Sequence, residues 1–187
     1  RSFKKDLTPV LNKYIGFSNK YNSLTISVFN ENDDIQTIAI KKAFDRNKET
    51  VKWKSYGKKS LITSKIKDDF VFLAVGMKEL ILLELMDISY VHIQSDSMYK
   101  NISQDLINRC RNLIILKEND KSFESLISKL QEIFLDTNIF IIDFKKLKNN
   151  DLPKGYDFVD YCNDIGDIAV VEEELEEELI RQTKERK

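Results

Sequence analysis

Hydrophobic and polar positions follow two rhythms along the chain, and the change falls near residue 68. In "NSLTISVFN" (22–30), Leu24, Ile26 and Val28 alternate with Thr25 and Ser27, the period of a half-buried strand. "ENDD" is a polar turn and "IQTIAIKK" alternates again, so the two runs predict a hairpin. "ETVKWKSYG" is a third strand-like run ending at Gly57. Residues 1–20 read as a short helix and a turn, with Pro9 near the helix start. The first third is expected to be a small antiparallel β unit.

From Phe70 the grammar changes. "FVFLAV" is a continuous apolar run, as in a strand buried on both faces. "MKELILLELM" consists of good helix formers, "ISYVHIQ" is a strand, and "SQDLINRC" is a short helix that Ser103 can cap. "NLIIL" and "NIFIIDF" are further strands. Between them "KSFESLISKLQEIF" places Phe123, Leu126, Ile127, Leu130 and Phe134 on one helical stripe. Strands alternating with helices predict βαβ units and a parallel sheet. A long polar loop follows Asp143, partly helical around Phe158 to Cys162. The chain closes on a charged helix, "VVEEELEEELIRQTKERK", with glutamates early and cations late, as the helix dipole favours. Its glutamate run reads as a solvated face, with Leu175, Leu179 and Ile180 as the alternative, a partner-docking stripe. The expected organisation is a basic β subdomain (1–67), an α/β domain (68–165) and the charged helix (166–187).

Composition removes several classes. At 42% hydrophobic and 33% charged residues, the chain can build a core and is not disordered throughout. No apolar run is long enough to span a bilayer and no signal-peptide pattern is present, so no membrane partner is expected. Cys110 and Cys162 sit in no metal spacing, which argues against a disulfide scaffold or zinc ribbon and for a reducing, cytoplasmic setting. His92, inside a strand, reads as packed, and no Ser/His/Asp constellation forms around it. There is no Walker A pattern. The start at Arg1 rather than methionine leads to the expectation of a piece cut from a longer chain.

The net charge of −1 hides an asymmetry. Residues 1–67 hold 15 Lys/Arg against 6 Asp/Glu, and residues 68–187 hold 15 against 25. Either the first part faces a polyanion, or the two parts dock through complementary charge. In an open parallel sheet, ligands gather at the carboxyl ends of the strands. Those ends carry Val75-Gly76, Asp96, Glu118 with Asp120, and Asp143. Glu118 and Asp120, two residues apart past a strand, suit a hard cation such as Mg²⁺; alternatively, Asp120 caps the next helix.

"FVFLAVGMKELILLELMDISYVHIQSDS", "NLIILKENDKSFESLISKL", "NIFIIDFKKL" and "LPKGYDFVDY" together resemble a Toprim domain, the catalytic fold of bacterial and phage primases, topoisomerases and some nucleases. The resemblance covers about residues 68–165 and implies a Toprim-like four-stranded parallel sheet flanked by helices. It places Glu118-Asn119-Asp120 at the family's Asp-x-Asp metal motif, binding Mg²⁺ or Mn²⁺, and Gly76, Asp96, Asp157 and Asp160 around the site rim. The family's first motif is a glutamate followed by glycine; here that glutamate is Val75, and the acid three positions beyond Gly76 is Glu79. Valine neither moves a proton nor binds a metal. The resemblance therefore implies either a degenerate, non-catalytic domain, or a substitute acid at Glu79 or Asp96, or an altered residue. The first third resembles the basic β subdomain of primases and phage primase-helicases. Lys41, Lys42, Arg46, Lys52, Trp53, Lys54, Lys58 and Lys59 match its character and suit single-stranded DNA, with Trp53 either stacking on a base or packing in a core. The implied activity is primer synthesis from nucleoside triphosphates in a phage or mobile-element replication system. The implied partners are a helicase or another replication protein, and the implied location is the nucleoid.

Overall fold

A computed structural model describes residues 8–29, 35–41, 53–57, 62–148 and 150–186. The first unit comprises α1 (Thr8–Tyr14), β1 (Ile15–Ser18), β2 (Ser23–Phe29), β3 (Ile35–Lys41) and β4 (Trp53–Gly57). The four strands form one antiparallel sheet in chain order. The alternation read in β2 is realised: Ile26 and Val28 are buried. β1 escaped the sequence reading because its four residues are mostly exposed and form no apolar run.

The second unit begins with β5 (Ile62–Lys65) and β6 (Phe70–Val75), followed by α2 (Met77–Leu85), β7 (Tyr90–Ile93) and a 3-10 turn over Asp96–Asn101. Then come α3 (Gln104–Arg109), β8 (Asn112–Lys117), α4 (Lys121–Ile133), β9 (Asn138–Asp143), α5 (Phe144–Lys148), α6 (Phe158–Ile165) and α7 (Ile168–Glu185). The sheet order is β5-β7-β6-β8-β9. β7, β6, β8 and β9 are the four expected parallel strands; β5 adds a fifth, antiparallel to β7. Ser103 accepts from the Leu106 N–H at 3.2 Å and caps α3 as read from sequence.

Helices cover both faces of this sheet. Phe72 and Ala74 of β6 join one core with Leu80, Leu83, Phe158 and Leu175. Val71 and Leu73 join another with Leu106, Phe123 and Leu126. α7 is less solvated than its composition implies: Val171 and Leu175 are buried, Glu174 accepts from the Tyr161 hydroxyl, and Glu178 is held by Arg181 and Gln182.

A polar node ties the units together. Glu84 accepts from Tyr14 of α1 at 3.0 Å, Tyr90 of β7 at 2.6 Å and Lys65 of β5 at 3.1 Å. Burial works against this carboxylate, but the bonds from Tyr90 and Lys65 hold it below its ordinary pKa. Charge-assisted bonds of this kind are stronger than neutral ones.

His92 is wholly buried and neither ring nitrogen has a partner. Burial pushes its pKa from 6.5 down to about 4. The unfolded chain takes up this proton below 6.5 and the folded chain only near 4, so stability is complete above 6.5 and is lost as pH falls towards 4. The loss amounts to about 3 kcal/mol at most. His92→Leu is expected to raise Tm by about 2–6 °C at neutral pH, since it removes two unpaired polar atoms. It should also flatten this part of the acid dependence, as read in thermal melts across the same pH window.

Candidate functional site

β6 ends in a turn that only certain residues permit. Gly76 has φ 93°, in the region glycine favours, and its N–H donates to Ile93 O at 2.8 Å. The Val75 N–H points the other way, beyond the last β6–β8 pair at Leu73 and Ile115. Glu79, in the first turn of α2, reaches back and accepts it at 2.6 Å. This resembles a capping box displaced by one residue.

Chain order steps from β6 to β7 on one side and then crosses to β8 on the other, so the switch point lies between β6 and β8. A cavity of about 320 Å³ opens there. Ile26 and Val28 of β2, together with Val75 and Met77, form its aliphatic wall. Glu79, Glu118 and Asp157 line the polar side, with Lys78 and Gln94. The first sheet therefore roofs the carboxyl edge of the second.

Two loops are clamped together to make this arrangement. The Asn119 amide donates to Leu152 O at 2.7 Å and Pro153 O at 3.0 Å. Its backbone N–H donates to Tyr156 O, and Gly155 N–H donates back to Asn119 O, both at 3.0 Å. Asp157 follows directly and caps α6, accepting from the Asp160 N–H at 2.9 Å, while Asp160 returns the bond at 3.2 Å.

Burial pushes the Glu79 carboxyl well above the usual range; the Val75 N–H pulls it partly back, and Glu118 and Asp157 push it further. Its Oε1 is buried without a partner. Glu118 is raised by burial and then by Asp157, Asp120 and Asp96, with Lys78 opposing. Burial, with Asp157 and Glu79, pushes the Cys162 thiol up to about 12, and Cys110 is pushed up to about 11, so neither free cysteine is a ready nucleophile.

The proposed residues are thus distributed unevenly. Glu79, Glu118, Asp157, Gly76 and Val75 share the cavity. Asp120 lines an adjacent cleft that Glu118 also borders. Asp96 and Asp160 are exposed, Asp96 at the start of the 3-10 turn and Asp160 in the cap of α6. Lys41 and Trp53 are register partners at the ends of β3 and β4, and Lys54 follows in β4. Lys42, Arg46, Lys52, Lys58 and Lys59 lie outside the described residues. Among the described residues, no group of three or more His, Cys, Asp or Glu is arranged to hold a metal ion, and no helix is long and apolar enough to cross a membrane.

No protein-family pattern matches the sequence, and no curated protein does. Solved structures do match. The primase fragment of the bacteriophage T7 primase-helicase superposes with a TM-score of 0.64 over 90% of this chain and 68% of its own, at 13% identity. The Aquifex aeolicus primase, comprising zinc-binding and RNA polymerase domains, gives 0.61 over 90% and 45%, at 11% identity. A DnaG primase catalytic domain bound to single-stranded DNA gives 0.56 over 91% and 57%, at 11% identity. This is the fold of primase catalytic cores. At these identities the likeness is one of fold, and the chain spans less than half the length of the Aquifex protein.

Within this primase-type fold, sequence reading missed Asn119, Gln94 and the roof residues Ile26 and Val28. Asn119 lies between two acids, Glu118 and Asp120, and nothing local marks it as a clamp. Its partners lie more than thirty residues away.

The protonation of Glu79 can be checked. The unfolded carboxyl releases its proton near 4.5 and the folded one well above. Glu79 therefore works against folding increasingly as pH rises from 4.5. Glu79→Gln keeps an acceptor for the Val75 N–H and should raise Tm at neutral pH, with the gain shrinking towards pH 4.5. A loss of Tm, or a gain independent of pH, would show Glu79 ionised in the fold.

Proposed function

We propose that this chain is the core of a primase-type Toprim protein from a phage or mobile-element replication system. In this reading it binds single-stranded DNA and a divalent cation and transfers nucleotides to build a primer. The observation that carries it is the meeting of Glu118 and Asp157 in one cavity at the switch point of a primase-type sheet. The DNA substrate is supported by the DNA-bound DnaG domain of the same fold and by the Lys/Arg excess of residues 1–67.

The donor set fits Mg²⁺ or Mn²⁺. Glu118 and Asp157 are hard oxygen ligands, and Glu118 is pushed up first by burial and then by its acidic neighbours, a strain that a cation relieves. Mg²⁺ needs only one or two protein carboxylates and takes water and phosphate for the rest, so a cluster of three is not required. Glu118 and Asp157 would hold the ion, with Asp120 beside them. Bound there, it would neutralise charge developing on a transferred phosphoryl group. Lys78 adds a positive charge at the mouth, and Glu79 holds the turn through the Val75 N–H. The T7 fragment belongs to a primase-helicase, and a helicase or other replication protein is the corresponding partner here.

A second reading has its own support. Val75 continues the aliphatic wall of Ile26 and Val28 where the resemblance calls for a proton-carrying acid. On that reading the domain binds nucleic acid or a partner without catalysis.

Primer synthesis on a single-stranded template with Mg²⁺ or Mn²⁺ separates the two. The first reading expects product from the wild type and a drop of at least about 10²-fold in Glu118→Gln and Asp157→Asn. No product from the wild type, with activity appearing in Val75→Glu, would establish the second. Mn²⁺ binding followed by its electron paramagnetic resonance signal tests the ion site apart from turnover. DNA affinity that does not change with salt would remove the phosphate contacts.

A further inference from the structure

α7 carries a stripe that the primase-type reading leaves unused. Ile180 is 47% exposed, although it borders a groove of about 670 Å³. Phe70, Phe72, Met86 and Ile88 form one bank of this groove, and Leu179 and Ile180 form the other. Glu176 and Lys184 also line it, one helical turn to either side of Ile180. Both are exposed, and neither makes an ion pair among the described residues, whereas Arg181 nearby is taken up by Glu178 and Glu185. Eight residues apart on one helix, Glu176 and Lys184 cannot reach each other.

A second copy of this chain supplies what each lacks. In an antiparallel, twofold-related pair of α7 helices centred on Ile180, Glu176 of one copy faces Lys184 of the other, twice, and the two Ile180 side chains meet over the grooves. A charge, an apolar residue and the opposite charge at equal spacing form a self-complementary pattern, which is what an isologous interface requires. We propose that this face of α7 is a homodimer interface. The groove sits at the start of β6, about 17 Å along the strand from Val75. Pairing there leaves the carboxyl edge of both sheets open and directs the two candidate sites apart.

Sedimentation velocity on the full chain across a concentration series tests it. The wild type is expected to shift from monomer to dimer as concentration rises. Glu176→Lys places lysine against lysine, and Lys184→Glu places glutamate against glutamate; each should weaken self-association at least about tenfold. Mixing these two variants restores both opposite-charge contacts, so the mixture should dimerise where neither component does alone. Ile180→Asp should remain monomeric, with a circular dichroism melt confirming that it is folded. A wild type that stays monomeric throughout would overturn the proposal and leave the groove to a foreign partner. A mixture no heavier than its components would overturn it equally.

Discussion

β6 is covered by helices on both faces, and the rest of the molecule follows from that constraint. A strand buried above and below has no side on which to carry a charge. Its residues from Val71 to Ala74 are accordingly apolar and almost without exposure. Polar chemistry can leave such a sheet only where its strands end. There, Gly76 turns the chain at a positive φ, α2 begins, and the spare Val75 N–H finds Glu79. β8, the neighbour across the switch point, delivers Glu118 to the same place.

The acids at that edge are held together against their own repulsion. Asn119 ties the loop after β8 to the Leu152–Tyr156 backbone through two side-chain and two main-chain hydrogen bonds. The cap of α6 then fixes Asp157. The net contribution of such bonds, about 0.5–1.5 kcal/mol each, is enough to oppose two partly solvated like charges. The electrostatic strain on Glu118 is thus maintained by local geometry, a condition in which a bound cation gains most. The roof of Ile26 and Val28 comes from the other sheet and is kept in register by the Glu84 node, which joins α1 to α2, β5 and β7.

What was legible in the sequence was what local periodicity encodes. The apolar runs of β6, β8 and β9, the helical stripe of α4 and the Ser103 cap all stand where their patterns put them. Short elements without an apolar run did not show: β1 and β5 have four residues each, whereas the equally short β7 is apolar enough to be read, and β5 joins the parallel sheet from residues that read as part of the basic unit. The long-range polar contacts were equally hidden. Glu84 looks like any helix glutamate until Tyr14, seventy residues earlier, is seen to bond to it. The glutamate run of α7 looked uniformly solvated, yet Glu174 and Glu178 turn inward, because a helix packed along one side cannot keep six glutamates on the other.

Val75 gains a sharper meaning from these contacts. The Val75 backbone N–H needs an acceptor, and Glu79 supplies it whatever the side chain at 75 may be. That side chain is half-buried, lines the cavity and packs against the core that Val71 and Leu73 join. The fold therefore makes no demand for an acid there, and an apolar side chain suits the core it touches. A carboxylate at 75 would stand beside Glu118 and Asp157 and add to their repulsion, so its presence makes sense only where a cation or a transferred proton compensates. Valine removes that repulsion and extends the aliphatic wall. An acid at 75 would thus carry no structural duty, and whether one stands there reports on chemistry.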